Sequence, residues 1–259
     1  MIVALSLVAG SALGLSQGAD VNGINLFAKP MDMEPDLMQA LTFYAPLVDN
    51  LQAFGAGNTT PTYTGAVTGA GALKTYIDRN TGLITRGVSG QPRFEASGYL
   101  AEGARTNLAL VSCDLAGYPL VWVPVAVTTA SGYSGPDGLT SATRLTATDT
   151  GAYITQSITS AAAVRITSVY VKRVTGAGAI SLSNFTATTW EAVTVTSAWT
   201  RVATVASGAG AANPVVGIQI AVSGDAVDVS YIQHEVGAFV SSAIFTAGVA
   251  GVRNADYAT

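Results

Sequence analysis

The sequence has 259 residues, of which 49% are hydrophobic and only 11% are charged, and its formal net charge is −4. Soluble domains usually carry about 25% charged residues, so this exterior must be rich in Ser, Thr, Gly and Ala, which is typical of a protein packed against neighbours. The 12 basic residues are scattered, which argues against a nucleic-acid-binding patch. One cysteine and one histidine exclude an internal disulfide and any Cys-type or His-pair metal site. We therefore expect no metal and no cofactor.

Residues 1–58 predict an N-terminal arm, extended or with short helices, that serves docking or oligomerisation. Its first segment is apolar but lacks the positive charge of a secretory signal, because the first basic residue is Lys29. The apolar run is also too short and too interrupted by glycine to span a bilayer. Pro35 between two acidic residues predicts the start of a short helix. A cleaved signal peptide is the alternative that stays open here.

Residues 59–110 predict a β-hairpin linker region. LKTYIDRNTGLITRG has β-rich flanks around a turn from Asp78 to Gly82. Further on, YLAEGARTNLAL places Glu102, Arg105 and Asn107 in an otherwise apolar segment. The three side chains form either a catalytic or ligand site or a structural joint. Opposite charges three residues apart, with an amide able to bond turn backbone, favour a joint in which Arg105 pairs with a carboxylate such as Glu102.

Residues 111–259 predict a β-sandwich domain. VVGIQIAV alternates, with Val216, Ile218, Ile220 and Val222 on one face. VRITSVYVKRV changes phase midway, which indicates a bulge or two buried faces. Clusters of glycine, proline and serine separate these short runs, and such spacing is typical of a sandwich or jelly roll. The predicted fold class is therefore mainly β: a jelly-roll-like β-sandwich preceded by the N-terminal arm.

No catalytic motif is present in the sequence. A Ser-His-Asp triad would have to use His234, but Glu235 beside it on a strand would point to the opposite face. The carboxylates that a glycosidase would need are present without any pattern that pairs them. We therefore expect no catalytic residues and no enzyme activity. The turn around Asp137 is a weak candidate for a Ca²⁺ site, because it offers one acidic residue and Ca²⁺ binds six to eight oxygen ligands.

Aromatic residues supply the candidates for ligand binding. Trp122, Trp190 and Tyr118 could form a platform on which sugar rings stack. Trp190 follows a polar Thr run and is the best candidate for exposure, whereas Trp199 opens an alternating strand and is expected in the core. The alternative for each ring is burial, the commoner outcome for isolated tryptophans in a sandwich.

The segment from Thr75 to Leu108 resembles a recurring module of tailed-bacteriophage structural proteins, in which a TYID/G hairpin leads to PRFE and then to L-x-E-x-ARTN-L. The matching positions are Thr75 to Asp78, Pro92 to Glu95, Leu100, Glu102, Ala104 to Asn107 and Leu108. Downstream, GPDGLTSATRLTAT, ITSVYVKRV, SAWTRVATV and YIQHEVGAFVSSAIFTAGVAGVRNAD resemble the later landmarks of the module in the same order. Gln233-His234-Glu235 departs from the usual Gln-Leu-Glu, and SSAIFT stands in place of TSYIPT.

The resemblance implies a jelly-roll β-sandwich similar to carbohydrate-binding modules, carried on a virion assembled in the host cytoplasm. Such proteins occur as tail-fibre, baseplate and head-decoration components, and trimers are common among them. The predicted function is a non-enzymatic virion structural protein that docks through its arm onto other virion proteins. Its sandwich would face outward and bind a host surface glycan in the adhesin case. The alternatives are a secreted bacterial carbohydrate-binding module and, less favoured, a small glycan hydrolase or esterase.

Overall fold

The fold is taken from a computed structural model. It describes residues 63–64, 67–68, 73–87, 91–96, 98–118, 121–186, 188–207, 210 and 212–258, so the predicted arm lies outside the described residues. The strands are, in chain order, β1 Tyr63–Thr64, β2 Val67–Thr68, β3 Leu73–Ile77, β4 Ile84–Gly87, β5 Phe94–Glu95, β6 Gly98–Tyr99, β7 Arg105–Asn107, β8 Val123–Val125, β9 Val127–Tyr133, β10 Ala142–Ala147, β11 Ala152–Ser157, β12 Arg165–Thr175, β13 Ile180–Ser183, β14 Glu191–Val193, β15 Thr200–Ala203, β16 Val215–Ile220, β17 Ala226–Val236, β18 Ile244–Phe245, β19 Gly251–Arg253 and β20 Tyr257–Ala258.

Two five-stranded antiparallel sheets form a sandwich. The first sheet has the order β15-β12-β17-β10-β9, and the second has the order β14-β13-β16-β11-β8. Apart from the pairs β9–β10 and β13–β14, each strand from β8 to β16 is followed by a strand of the opposite sheet. This alternation is that of a jelly roll, and it confirms the predicted fold class.

The main core lies between the two sheets and follows from alternation along their strands. Every second side chain faces inward, as the sequence predicted for β16. Val222, predicted on the same face, lies beyond the end of β16 and is 46% exposed. Fully buried aliphatic side chains come from both sheets, each contributing about 1.5–3 kcal/mol on burial. They include Leu145, Val169, Val171, Val227 and Val229 from the first sheet, and Ile154, Ile180, Leu182, Val216, Ile218 and Ile220 from the second.

The strands before and after the sandwich pair with each other. The predicted hairpin of β3 and β4 is confirmed, and β18 extends it on the β3 side. β19 lies between β2 and β7, and β20 pairs with β1. We expected the closing segment in the sandwich domain, but it pairs instead with strands of the segment that precedes the sandwich.

The change of phase in VRITSVYVKRV reflects two buried faces of β12, because all of Arg165 to Val169 are buried, and the partner strand β17 carries a bulge opposite Val169. Ser168 pairs with Gln233 and Tyr170 pairs with Ser230, so Tyr231 and Ile232 lie opposite Val169 alone. Tyr231 has a positive φ of 51°. Its ring lies in a second apolar cluster with Ile84, Cys113 and Ala243, outside the main core. Within the described residues, no helix is long and apolar enough to cross a membrane.

Candidate functional site

Polar and charged residues from the segments before and after the sandwich converge into one buried cluster, which we call the signature cluster: Lys74, Arg93, Glu102, Ser242, Arg253 and Asp256. The Glu102 carboxylate lies 2.9 Å from both Arg93 Nη2 and Arg253 Nη1. It also accepts hydrogen bonds from the backbone N–H of Ser242, at 2.7 Å, and from its hydroxyl. Arg93 pairs with Asp256 in addition, and Lys74 Nζ lies 3.9 Å from the same carboxylate.

The pKa values in this cluster reflect both burial and ion pairing. Burial alone would raise the pKa of Glu102, but Arg253, the Ser242 donors and Arg93 outweigh it and leave that pKa below its ordinary value. Burial lowers the pKa of Lys74 to about 8, assisted by Arg93 and Arg253 and opposed by Asp256. At pH 7 the lysine is mostly protonated, so three cations face two carboxylates. The cluster is therefore an ion-paired joint between the chain segments that precede and follow the sandwich.

The other two predicted joint residues fix β7 to the sandwich. Arg105 Nε lies 3.4 Å from a Glu235 carboxylate oxygen, and its guanidinium lies 4.5 Å from the ring centroid of Phe239. The partner of Arg105 is therefore Glu235, not Glu102. Asn107 is fully buried and donates to the carbonyls of Ile232 at 3.0 Å and Ile244 at 2.9 Å. Its side-chain oxygen accepts from the backbone N–H groups of Ala109 at 3.0 Å and His234 at 3.1 Å.

Trp122 is not a binding residue in this structure. Its side chain is 1% exposed within the main core, and its indole N–H donates to the Val111 carbonyl at 2.9 Å. The prediction that Trp122 contributes to a sugar platform is therefore wrong. The sequence around an isolated tryptophan beside a strand does not show whether its side chain points inward or outward. Here the side chain is buried in the apolar interior between the sheets.

Trp190 lies on the outer face of the second sheet, where its ring contacts that of Tyr153. The ring centroids are 5.7 Å apart with an interplanar angle of 43°, and both side chains are half-buried. Tyr153 faces outward because its neighbours Ala152 and Ile154 are in the core. Since β11 and β14 are three strand spacings apart, or about 14 Å, the two side chains must lean toward each other across β16 and β13.

Small and polar side chains surround this aromatic pair, and we call the surface the Trp190 face. Register places Val125, Tyr153, Gln219, Ser181 and Ala192 in one row across all five strands of the second sheet. The next row passes through Val123, Thr155, Gly217 and Ser183. The Ser181, Thr155 and Ser183 side chains are buried, whereas Gln219 is half-buried and leaves an amide beside the rings. Two rings with an amide beside them suit a sugar, whose apolar face packs on aromatic rings and whose hydroxyls need hydrogen-bonding partners. Tyr153 was missed from the sequence, although alternation with Ile154 in AYITQSIT places it outward.

Tyr118 borders a different surface, so the three predicted binding aromatics do not meet. It is 36% exposed and lines a cleft of about 310 Å³ beside the first sheet. Arg86 and Phe245 line the same cleft, with the Arg86 guanidinium 3.9 Å from the Phe245 ring centroid. Trp199, expected in the core, is also half-buried, near Lys172 on the outer face of the first sheet.

Two further residues considered for chemistry are engaged in the interior. His234 is 0% exposed, and its Nδ1 lies 2.9 Å from the Thr167 hydroxyl. Burial, assisted by the nearby Arg165, lowers the pKa of His234 to about 3. The Asp137 carboxylate accepts from the Tyr231 phenol at 2.8 Å and the Ser141 hydroxyl at 2.5 Å. Across the described part of the chain, no three His, Cys, Asp or Glu side chains are grouped to hold a metal ion.

No protein-family model matches the chain, and no curated protein matches it. Among solved structures, it is similar to the CBM22-1 xylan-binding domain of Paenibacillus barcinonensis Xyn10C, with 14% identity, a TM-score of 0.34, and coverage of 52% of this chain and 94% of that one. It is also similar to the C-terminal CBM6 of the Zobellia galactanivorans laminarinase LamC, with 11% identity, a TM-score of 0.33, and coverage of 52% of this chain and 100% of that one. At these values the likeness extends to no site residue and to no ligand.

Proposed function

We propose that this chain is a non-enzymatic structural protein of a bacteriophage virion whose β-sandwich binds a surface glycan. The observation that carries the glycan-binding role is the Tyr153–Trp190 pair, with ring centroids 5.7 Å apart on the outer face of the second sheet. Gln219, in the same row as Tyr153, is half-buried and supplies an amide.

The proposed absence of catalysis is supported by the state of His234 and Glu235. The histidine is buried and its pKa of about 3 leaves it neutral near pH 7, so it meets no substrate from solvent. Glu235 is also buried, where it accepts from Gln233 and Ser241 and pairs with Arg105. A general base must reach the proton that it removes, and neither side chain is placed to do so.

The virion role is supported by the signature cluster. The residues that resemble the phage module are distant in sequence, yet Arg93, Glu102 and Asp256 meet in one ion-paired joint. In this proposal the arm of residues 1–58 docks onto capsid or tail proteins, and the chain forms a homotrimer. The lack of a repetitive shaft favours a head-decoration protein or a compact tail tip over a long fibre.

Glycan binding is tested with an array of neutral oligosaccharides and the full chain. Trp190→Ala and Tyr153→Ala are each expected to weaken binding at least about tenfold, or about 1.4 kcal/mol, because each removes one ring of the platform. Trp199→Ala is the matched control, a half-buried tryptophan on the opposite sheet, and should bind neutral glycans like the parent. Tyr118→Ala tests the separate cleft. Undiminished binding by Trp190→Ala would overturn the assignment of the face.

The virion role is tested by location. Antibody labelling of purified particles should place the chain on the head or the tail, and deletion of residues 2–25 should abolish its incorporation. Normal incorporation of the deletion variant would contradict docking by the arm. The alternative function, a secreted bacterial carbohydrate-binding module, predicts instead a protein free in the culture medium, and the Trp190 face serves that function equally well.

A further inference from the structure

A row of aromatic and charged side chains crosses the outer face of the first sheet, on the opposite side of the sandwich from Trp190. We call it the charged row: Tyr133, Arg144, Asp228, Lys172 and Trp199. Register pairs Arg144 with Asp228 and Asp228 with Lys172. Tyr133 ends β9, and Trp199 immediately precedes β15, so the row reaches both edges of the five-stranded sheet.

Contacts within the row fix both of its cations. Arg144 binds Asp228 with two hydrogen bonds, from Nε at 2.8 Å and Nη2 at 3.1 Å, and Lys172 Nζ lies 3.4 Å from the same carboxylate. The Arg144 guanidinium lies 3.9 Å from the Tyr133 ring centroid, and Lys172 Nζ lies 5.2 Å from that of Trp199. Each cation is therefore held between the central carboxylate and one terminal ring.

The row presents positive charge outward. The Asp228 side chain is 1% exposed, whereas the side chains of Arg144 and Lys172 are 29% and 28% exposed. Two cations against one carboxylate leave a local charge of +1 on a chain whose net charge is −4. An ammonium carries three N–H donors and a guanidinium carries five, so the bonds to Asp228 use only part of the donor capacity.

We propose that the charged row binds an acidic polysaccharide, independently of the Trp190 face. Arg144 Nη2 and Lys172 Nζ lie 3.1 Å and 3.4 Å from the same Asp228 oxygen, so the two cations are close enough to pair together with one carboxylate of an acidic sugar chain. The terminal rings hold the cations in place before binding, which lowers the entropic cost of forming the ion pairs. A nucleic acid is disfavoured, because a local charge of +1 is not the basic patch or stripe that nucleic-acid binding requires.

Affinity electrophoresis of the full chain through gels with polygalacturonate tests this binding. Lys172→Gln is expected to weaken it at least about tenfold, Trp199→Ala about threefold, and Lys172→Arg should retain most of it because the charge is kept. Binding should also weaken as NaCl is raised from 50 to 500 mM, since exposed charges are screened. Arg144 is left unchanged because its loss would leave buried Asp228 with a weaker counter-ion.

Separate controls distinguish this proposal from the glycan-binding role of the Trp190 face. Trp190→Ala should bind polygalacturonate like the parent, and Lys172→Gln should bind neutral cellohexaose like the parent. Circular dichroism melting confirms that each variant is folded. The proposal is overturned if the parent is not retarded by polygalacturonate, if folded Lys172→Gln is retarded equally, or if single-stranded DNA binds as strongly as polygalacturonate does.

Discussion

Asn107 uses the hydrogen-bonding capacity of one short amide to connect three chain segments. It bonds to backbone groups at Ile232, His234, Ile244 and Ala109 in a fully buried position. Asn107→Ala leaves these groups without their side-chain partner, so we expect a loss of about 2–4 kcal/mol in the free energy of unfolding. Urea denaturation measures it.

Asn254→Ala is the matched control for that change, because Asn254 is exposed. Its cost should stay within about 0.5 kcal/mol. If the two alanine variants unfold at the same urea concentration, Asn107 does not hold the segments together.

Arg105 contributes through charge and through packing. Arg105→Ala removes the ion pair with Glu235 and the contact with Phe239, which is 65% exposed. We expect a loss of about 1–3 kcal/mol in unfolding free energy, since Glu235 keeps its bonds to Ser241. Glycan binding at the Trp190 face should not change. A loss of binding without a loss of stability would indicate that Arg105 belongs to a ligand site.

His234 makes the stability of the fold depend on pH. Its folded pKa of about 3 lies below the ordinary value of 6.5, so between these values the unfolded chain binds a proton that the folded chain does not. Stability is therefore full above about pH 6.5 and falls as the pH drops toward 3. Between pH 7 and pH 5, we expect the parent to lose about 2 kcal/mol more than His234→Gln. Chemical denaturation of both at each pH tests this, and parallel pH profiles would refute it.

At the level of strands and turns, the turn after β12 depends on a glycine that has no room for a side chain. Gly176 has a φ of 81°, and a Cβ there would lie 1.7 Å from an Asp225 carboxylate oxygen. Asp225 in turn accepts from the Gly178 N–H at 2.7 Å. Gly82 has a φ of 69° with nothing within 4 Å of its Cβ position, so it provides the matched control.

Both glycine-to-alanine changes carry the cost of a positive φ, about 1 kcal/mol. Gly176→Ala should cost at least about 2 kcal/mol more than Gly82→Ala, because it must also displace Asp225. Thermal or urea unfolding measures the difference. Equal costs would mean that the turn can adjust around the added methyl group.

Strands and turns were predictable from the sequence where the signal lies within one strand or one hairpin. Alternation identified the buried face of β16, and the turn residues identified the β3–β4 hairpin. The phase change in VRITSVYVKRV indicated a bulge or two buried faces; β12 is buried on both faces from Arg165 to Val169, and the bulge opposite Val169 lies in the partner strand β17. The pairing of β19 with β7 joins residues far apart in sequence, and no local pattern encodes it.

Site residues were less predictable, because the side of the sheet that a ring occupies depends on its neighbours. Trp122 turned inward, while Trp190 and Trp199 lie on opposite outer faces. The sequence indicated a joint at Glu102 and Arg105, but not that each would pair with charges from more distant segments. Because Glu102 and Arg105 are close in sequence, they suggested a local ion pair. In the fold, Glu102 pairs with Arg253 and Arg105 pairs with Glu235.

For the whole molecule, the three tryptophans occupy three environments: the core, the Trp190 face and the charged row. Their indole N–H resonances in a ¹⁵N spectrum of the full chain therefore report on each environment separately. Titration with cellohexaose should shift the Trp190 resonance and leave those of Trp122 and Trp199 in place. If none of the three resonances moves, or if only that of Trp199 moves, the Trp190 face does not bind a neutral glycan and the central proposal is contradicted.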